Sequence, residues 1–101
     1  MSSEPALALH LVSCLSDQRA WDACRAQAAQ GVAVEVVLIH DAVLETEASI
    51  ALSVGGPEVS GLTVLACADD AKRRKVEERW ALIGYAEMID RCSSASTVTC
   101  W

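Results

Sequence analysis

Five cysteines, Cys14, Cys24, Cys67, Cys92 and Cys100, are the residues of this chain whose chemistry is easiest to name. Their number is odd and no C-x-x-C pair occurs, so neither a disulfide framework nor a zinc site is supported. In a reducing compartment two options remain: buried inert thiols, or one reactive thiol. Cys67 closes the apolar run LTVLAC and is followed by Asp69 and Asp70, which open a charged stretch. That places it at the carboxyl end of a buried strand and just ahead of a helix. Unpaired N–H groups there stabilise a thiolate, and Lys72, Arg73 or Arg74 would add to this by folding back. Asp69 and Asp70 oppose it. Cys67 equally reads as a small apolar residue that simply ends the strand, and both readings stay open. Cys24 shares a helix face with Trp21 and Ala28, at i, i+3 and i+7 spacing. On the residues alone it is a small core residue rather than a nucleophile.

Other chemistry is sparse. His40 and Asp41 follow the apolar run VAVEVVLI, where open α/β sheets place ligands, so a small-ligand site at those strand ends is one reading. The alternative is an ordinary turn with Asp41 capping the next helix. His10 lies inside an apolar run and reads as a hydrogen-bonded core or edge histidine, not a ligand. No serine-type triad assembles around His10 and His40. Neither G-x-G-x-x-G nor G-x-x-x-x-G-K-[ST] occurs, so no phosphate loop and no cofactor are expected.

Composition narrows the partners. A formal charge of −6 argues against direct grip on a nucleic-acid backbone. The one cationic cluster, Lys72-Arg73-Arg74-Lys75, is followed by Glu77-Glu78 and reads as a solvated helix face. Hydrophobic residues reach 52% without any Phe, an excess that suits apolar surface covered by other subunits as well as a dense Ala/Val/Leu core. The start, MSSEPALALHL, has no Lys or Arg and only a short apolar run. Neither a secretory signal nor a membrane span is expected, and the expected location is cytoplasmic.

The elements that must position these residues alternate. Met1 to Pro5 reads as a frayed end, and Ala6 to Cys14 as the first strand. Ser16 or Asp17 caps a helix from about Gln18 to Gln30, which Gly31 ends. Val32 to Ile39 is β-branched, broken only by Glu35, and short: an interior strand of a parallel sheet. Ala42 to Leu52 predicts one short helix, and Gly55-Gly56-Pro57 a break. Leu62 to Cys67 is a strand, and Asp69 or Asp70 starts a helix to about Arg79. Trp80 to Gly84 is a strand, Tyr85 to Cys92 a helix, and TVTCW a small final strand. The prediction is one domain over residues 1–101, a three-layer α/β sandwich with a mostly parallel sheet of about five short strands.

The ending GYAEMIDRCSSASTVTCW resembles the carboxyl terminus of the DsrH/TusB sulfur-relay subunits. Those chains carry a tyrosine at the start of the last helix and finish with a short polar segment and a tryptophan; Tyr85, Val98 and Trp101 match. The amino half is similar too, with Leu9-His10 in a strand, a helix, a glycine, an apolar strand and Asp41. In DsrH of sulfur oxidisers a cysteine lies in the first helix seven residues before that glycine, and Cys24 stands seven before Gly31. A second likeness is to the related DsrE/TusD subunits, whose persulfide-carrying cysteine precedes an Arg-Arg-Gly-Val-like segment. Cys67 precedes Arg73-Arg74-Lys75-Val76, with Lys75 in place of the glycine and Asp69-Asp70 unlike the small residues usual there.

The resemblance implies a subunit of a hetero-oligomeric complex with DsrE/TusD-like and DsrF/TusC-like partners. Such complexes pass persulfide sulfur between cysteines to a DsrC/TusE-like carrier, toward tRNA wobble-uridine thiolation or dissimilatory sulfur oxidation. It makes Cys24 and Cys67 the candidate persulfide carriers, with no metal involved. TusB members do without the cysteine, so the resemblance also implies an alternative: a non-catalytic subunit that completes the assembly.

Overall fold

Val34 to Leu38 are buried without interruption, as a strand covered on both faces must be. In the computed structural model, which describes residues 7–54 and 61–101, this strand, β2 (Ala33–Leu38), lies between β1 (Leu7–Val12) and β3 (Leu62–Cys67). With β4 (Ala81–Ile83) and β5 (Thr97–Cys100) the order is β4-β3-β2-β1-β5. Every neighbouring pair is parallel. The sheet is therefore wholly, not mostly, parallel, because each of the first four strands is followed by a helical crossover that returns the chain to the same end. The predicted frayed end at Met1 to Pro5 and the break at Gly55-Gly56-Pro57 lie outside the described residues.

Among the described residues four helices cover the sheet: α1 (Gln18–Ala29), α2 (Glu47–Ser53), α3 (Ala68–Arg73) and α4 (Tyr85–Ser94). Alternate strand residues point to opposite faces, and the two faces carry unequal cores. On one, Val12, Val36, Leu38 and Ala66 meet Trp21 of α1, Ile50 of α2 and Ala71 of α3. On the other, Leu9, Val37 and Ile83 meet Met88 of α4. Three helices, the sheet and one helix make the three layers.

The boundaries nearest the candidate residues differ from the sequence prediction in three places. The expected helix from Ala42 to Leu52 is two pieces, a 3-10 turn at His40–Leu44 and then α2. Thr46 starts the second piece with a capping box. Its hydroxyl accepts the Ser49 N–H at 3.1 Å, and the Ser49 hydroxyl accepts the Thr46 N–H at 3.0 Å. The charged helix stops at Arg73, short of Arg79, because Lys75 turns into the left-handed region at φ +58°. The Val76 N–H bonds the Ala71 carbonyl and the Lys75 N–H that of Lys72, the paired contacts of a Schellman stop. Gly31 (φ +82°) ends α1 by the same pattern, as its type predicted, with Gly31 and Val32 donating to Ala28 and Gln27. The first strand ends at Val12, which leaves Cys14 on the following loop.

Candidate functional site

The carboxyl ends of β2 and β3 bring together the residues singled out at both strand ends. Cys67 pairs with Ile83 and so faces the α4 side, at 6% exposure. On its other flank the chain passes through His40, whose φ of +50° bends it sharply. The His40 N–H donates to Asp70 Oδ2 at 2.9 Å. Arg74 donates through Nη2 to Asp41 Oδ1 at 3.0 Å and lies 3.7 Å from Asp70. Asp41 is thus a partner of Arg74 rather than a helix cap, and Thr46 has the capping role.

The guanidinium of Arg74, one of the cations that the sequence offered to Cys67, is engaged by two carboxylates, those of Asp41 and Asp70. The α3 start beside Cys67 carries Asp69 and Asp70 in its first turn. The arrangement ties the 3-10 turn to α3.

Cys24 sits in the middle of α1 and is wholly buried at 0% exposure, beside Trp21 and against the sheet. Burial pushes its thiol from the ordinary value of 9.0 up to about 12. A thiol in that state is neither ionised at neutral pH nor reachable by a donor, so nucleophilic work at Cys24 requires α1 to move. The i, i+3, i+7 stripe was the accurate guide to its surroundings.

The strand order reverses between β1 and β5, and the crevice at such a point is where open α/β sheets hold ligands. Ser13, Cys14 and Trp101 stand there. The Ser13 hydroxyl donates to the Trp101 carbonyl at 2.6 Å, and Cys14 and Cys100 are exposed. Sequence reasoning missed this placement of Cys14 by running the first strand through it. Nearby, Glu45 is almost fully buried, its oxygens accepting the Ser16 N–H at 2.9 Å and the Ser49 hydroxyl at 2.8 Å. Nothing in the local sequence marked Glu45 as buried.

The lone charge in β2, Glu35, is also buried, and Arg91 of α4 answers it with Nη1 to Oε2 at 2.6 Å. Arg91 reaches Glu87 as well, at 3.3 Å. The hydrogen bond to Glu35 holds the guanidinium charged and raises its pKa further. Among the described residues no group of three or more His, Cys, Asp or Glu side chains is placed to hold a metal ion. No helix among them is long and apolar enough to cross a membrane. No protein-family model matches the chain, and no curated protein matches it.

Proposed function

We propose that this chain is a subunit of a cytoplasmic sulfur-relay complex of the DsrH/TusB kind, and that its part there is assembly rather than sulfur carriage. The observation that carries the choice of role is the burial of Cys24, with its thiol pushed up to about 12. The wholly parallel five-stranded α/β sheet is compatible with the reading, and the likeness of the ending from Tyr85 to Trp101 motivates it. DsrE/TusD-like and DsrF/TusC-like subunits are the partners, and a DsrC/TusE-like protein receives the sulfur. The pathway served is wobble-uridine thiolation or sulfur oxidation.

A second reading, a working carrier, is favoured by Cys67, which keeps a little exposure at the carboxyl end of β3. In that reading its thiolate attacks the outer sulfur of a donor persulfide. A new S–S bond forms, the donor's S–S bond breaks, and the donor leaves as a thiolate. Incubation with a persulfide donor, followed by assay of cyanolysable sulfur, separates the two. The assembly role predicts loading no different between wild type, Cys24→Ser and Cys67→Ser, together with co-purification with the two partner subunits. Loading abolished by Cys67→Ser establishes the carrier. Failure to bind either partner subunit removes the relay reading altogether.

A further inference from the structure

β5 is an outer strand of the sheet, and among the described residues it lacks the devices that usually keep such edges apart. Residues 97–100 include no charge and no proline, and Thr97, Val98 and Cys100 are exposed. Natural edge strands are normally guarded by lysine, proline, a bulge or a covering loop. The opposite edge, β4, is only three residues long. The Trp101 N–H bonds the Leu11 carbonyl at 2.8 Å. Alternation along the strand then turns the N–H and C=O of Val98 and Cys100 away from β1, toward the open side.

The helix above continues this surface. Val98 pairs with Leu9 and so points to the α4 face. On α4, Glu87, Arg91 and Ser94 share the flank from which Arg91 reaches Glu35 of β2. Since β2 lies beyond β1 from β5, the opposite flank, with Tyr85 and Ile89 four residues apart, is turned toward the β5 edge. Tyr85 is 65% exposed, Ile89 52% and Val98 42%. The backbone groups that find no partner among the described residues and the apolar side chains therefore form one surface.

We propose that this surface is a homodimer interface, in which β5 pairs antiparallel with β5 of a second copy about a two-fold axis at Val98. The two sheets then form one of ten strands, five from each copy, with the two α4 helices side by side above the junction. Charge selects the occupant. Copies that each carry −6 repel unless they meet through uncharged surface, and Tyr85, Ile89 and residues 97–100 supply it. A charged partner would find no charge here to pair with. The geometry is self-complementary, as a two-fold contact requires. Val98 stands opposite its own copy with outward backbone groups facing, and Thr97 stands opposite Thr99, a favourable cross-strand pair. Four residues of strand pairing are small against the roughly 800 Å² per partner of a stable interface. Tyr85 adds an aromatic ring, and such rings bury about 150–250 Å² each. The inference stands independently of the sulfur-relay reading.

Sedimentation equilibrium of the purified chain at micromolar concentration, with hydrogen exchange on the same samples, tests it. Wild type is expected at twice the chain mass, with the Val98 and Cys100 amides protected and losing that protection on dilution. Val98→Lys and Ile89→Lys are both expected at the mass of one chain, with unchanged far-ultraviolet circular dichroism. Leu52→Lys, on α2 and 84% exposed, is expected to remain dimeric. A monomeric wild type overturns the proposal. So does a dimer that survives Val98→Lys, or one whose Val98 and Cys100 amides exchange freely.

Discussion

The indole Nε1 of Trp101 donates to Nδ1 of His10 at 2.9 Å, with the two ring planes 14° from parallel and the ring centroids 6.2 Å apart. An indole N–H can only donate, so Nδ1 carries the lone pair and the ring proton sits on Nε2. That proton is donated to Oε1 of Gln27 at 2.6 Å. His10, buried at 1% exposure, thus ties β1 to α1 and to the residue that follows β5 through its two nitrogens.

Removing the indole donor leaves Nδ1 of His10 buried without a partner. Trp101→Phe is expected to destabilise the chain by about 1–3 kcal/mol, the usual cost of an orphaned buried acceptor. Urea midpoints measure it, and an unchanged midpoint would mean that the bond contributes nothing to stability.

The Glu35–Arg91 pair predicts an asymmetry between single and double replacement. Arg91→Met strands a buried carboxylate, a loss of about 3–5 kcal/mol for a fully buried pair. The partial exposure of Arg91, 36% of its side chain, places the loss at or below the lower end. Glu35→Met combined with Arg91→Met is expected to recover most of it. A double variant no more stable than Arg91→Met alone would contradict this account of how β2 tolerates a charge.

Cys24 predicts an alkaline signature. Its thiol sits at about 12 when folded against an ordinary 9.0, so the folded state favours the protonated form. The stability it contributes is complete below pH 9.0 and is lost as pH rises toward about 12. Cys24→Ala is expected to cost about 1 kcal/mol at neutral pH through lost packing. That disadvantage shrinks as the solution becomes more alkaline. Urea midpoints of both proteins on either side of pH 9.0, in reductant, decide it; a constant difference would show that Cys24 does not titrate with unfolding.

Lys75 holds a left-handed conformation that costs a side chain about 1–2 kcal/mol and a glycine almost nothing. Lys75→Gly is expected to raise stability by about 0.5–1 kcal/mol, after the entropy that glycine loses on folding. Thermal or urea unfolding measures it, and a destabilised variant would mean that the side chain makes contacts outweighing the strain.

What the sequence revealed followed the reach of each interaction. The β-branched run at Val32 to Ile39 announced an interior strand, because burial on both faces shapes composition locally. Gly31 announced its own stop. Lys75 did not, since nothing in a lysine marks a left-handed turn. Glu35 was visible as an interruption, but its partner Arg91 lies 56 residues away, and no local pattern connects them. The Trp21–Cys24–Ala28 stripe gave the surroundings of Cys24 correctly. Cys14 was misplaced because an apolar run does not say where its last strand residue falls, and Asp41 found its partner in Arg74 only through the fold.

The position of β1 between β2 and β5 also sets an order of events during synthesis. Its first partner lies within 33–38, but its second, within 97–100, is the last strand of the sequence. Chains emerge at about 5–20 residues per second and all-parallel pairing is slow. For most of that interval β1 is itself the outermost strand, with His10 lacking its indole partner and Leu9 and Leu11 without the cover of α4. A nascent chain therefore presents to chaperones an apolar strand that the finished protein hides, and only the arrival of residues 85–101 withdraws it.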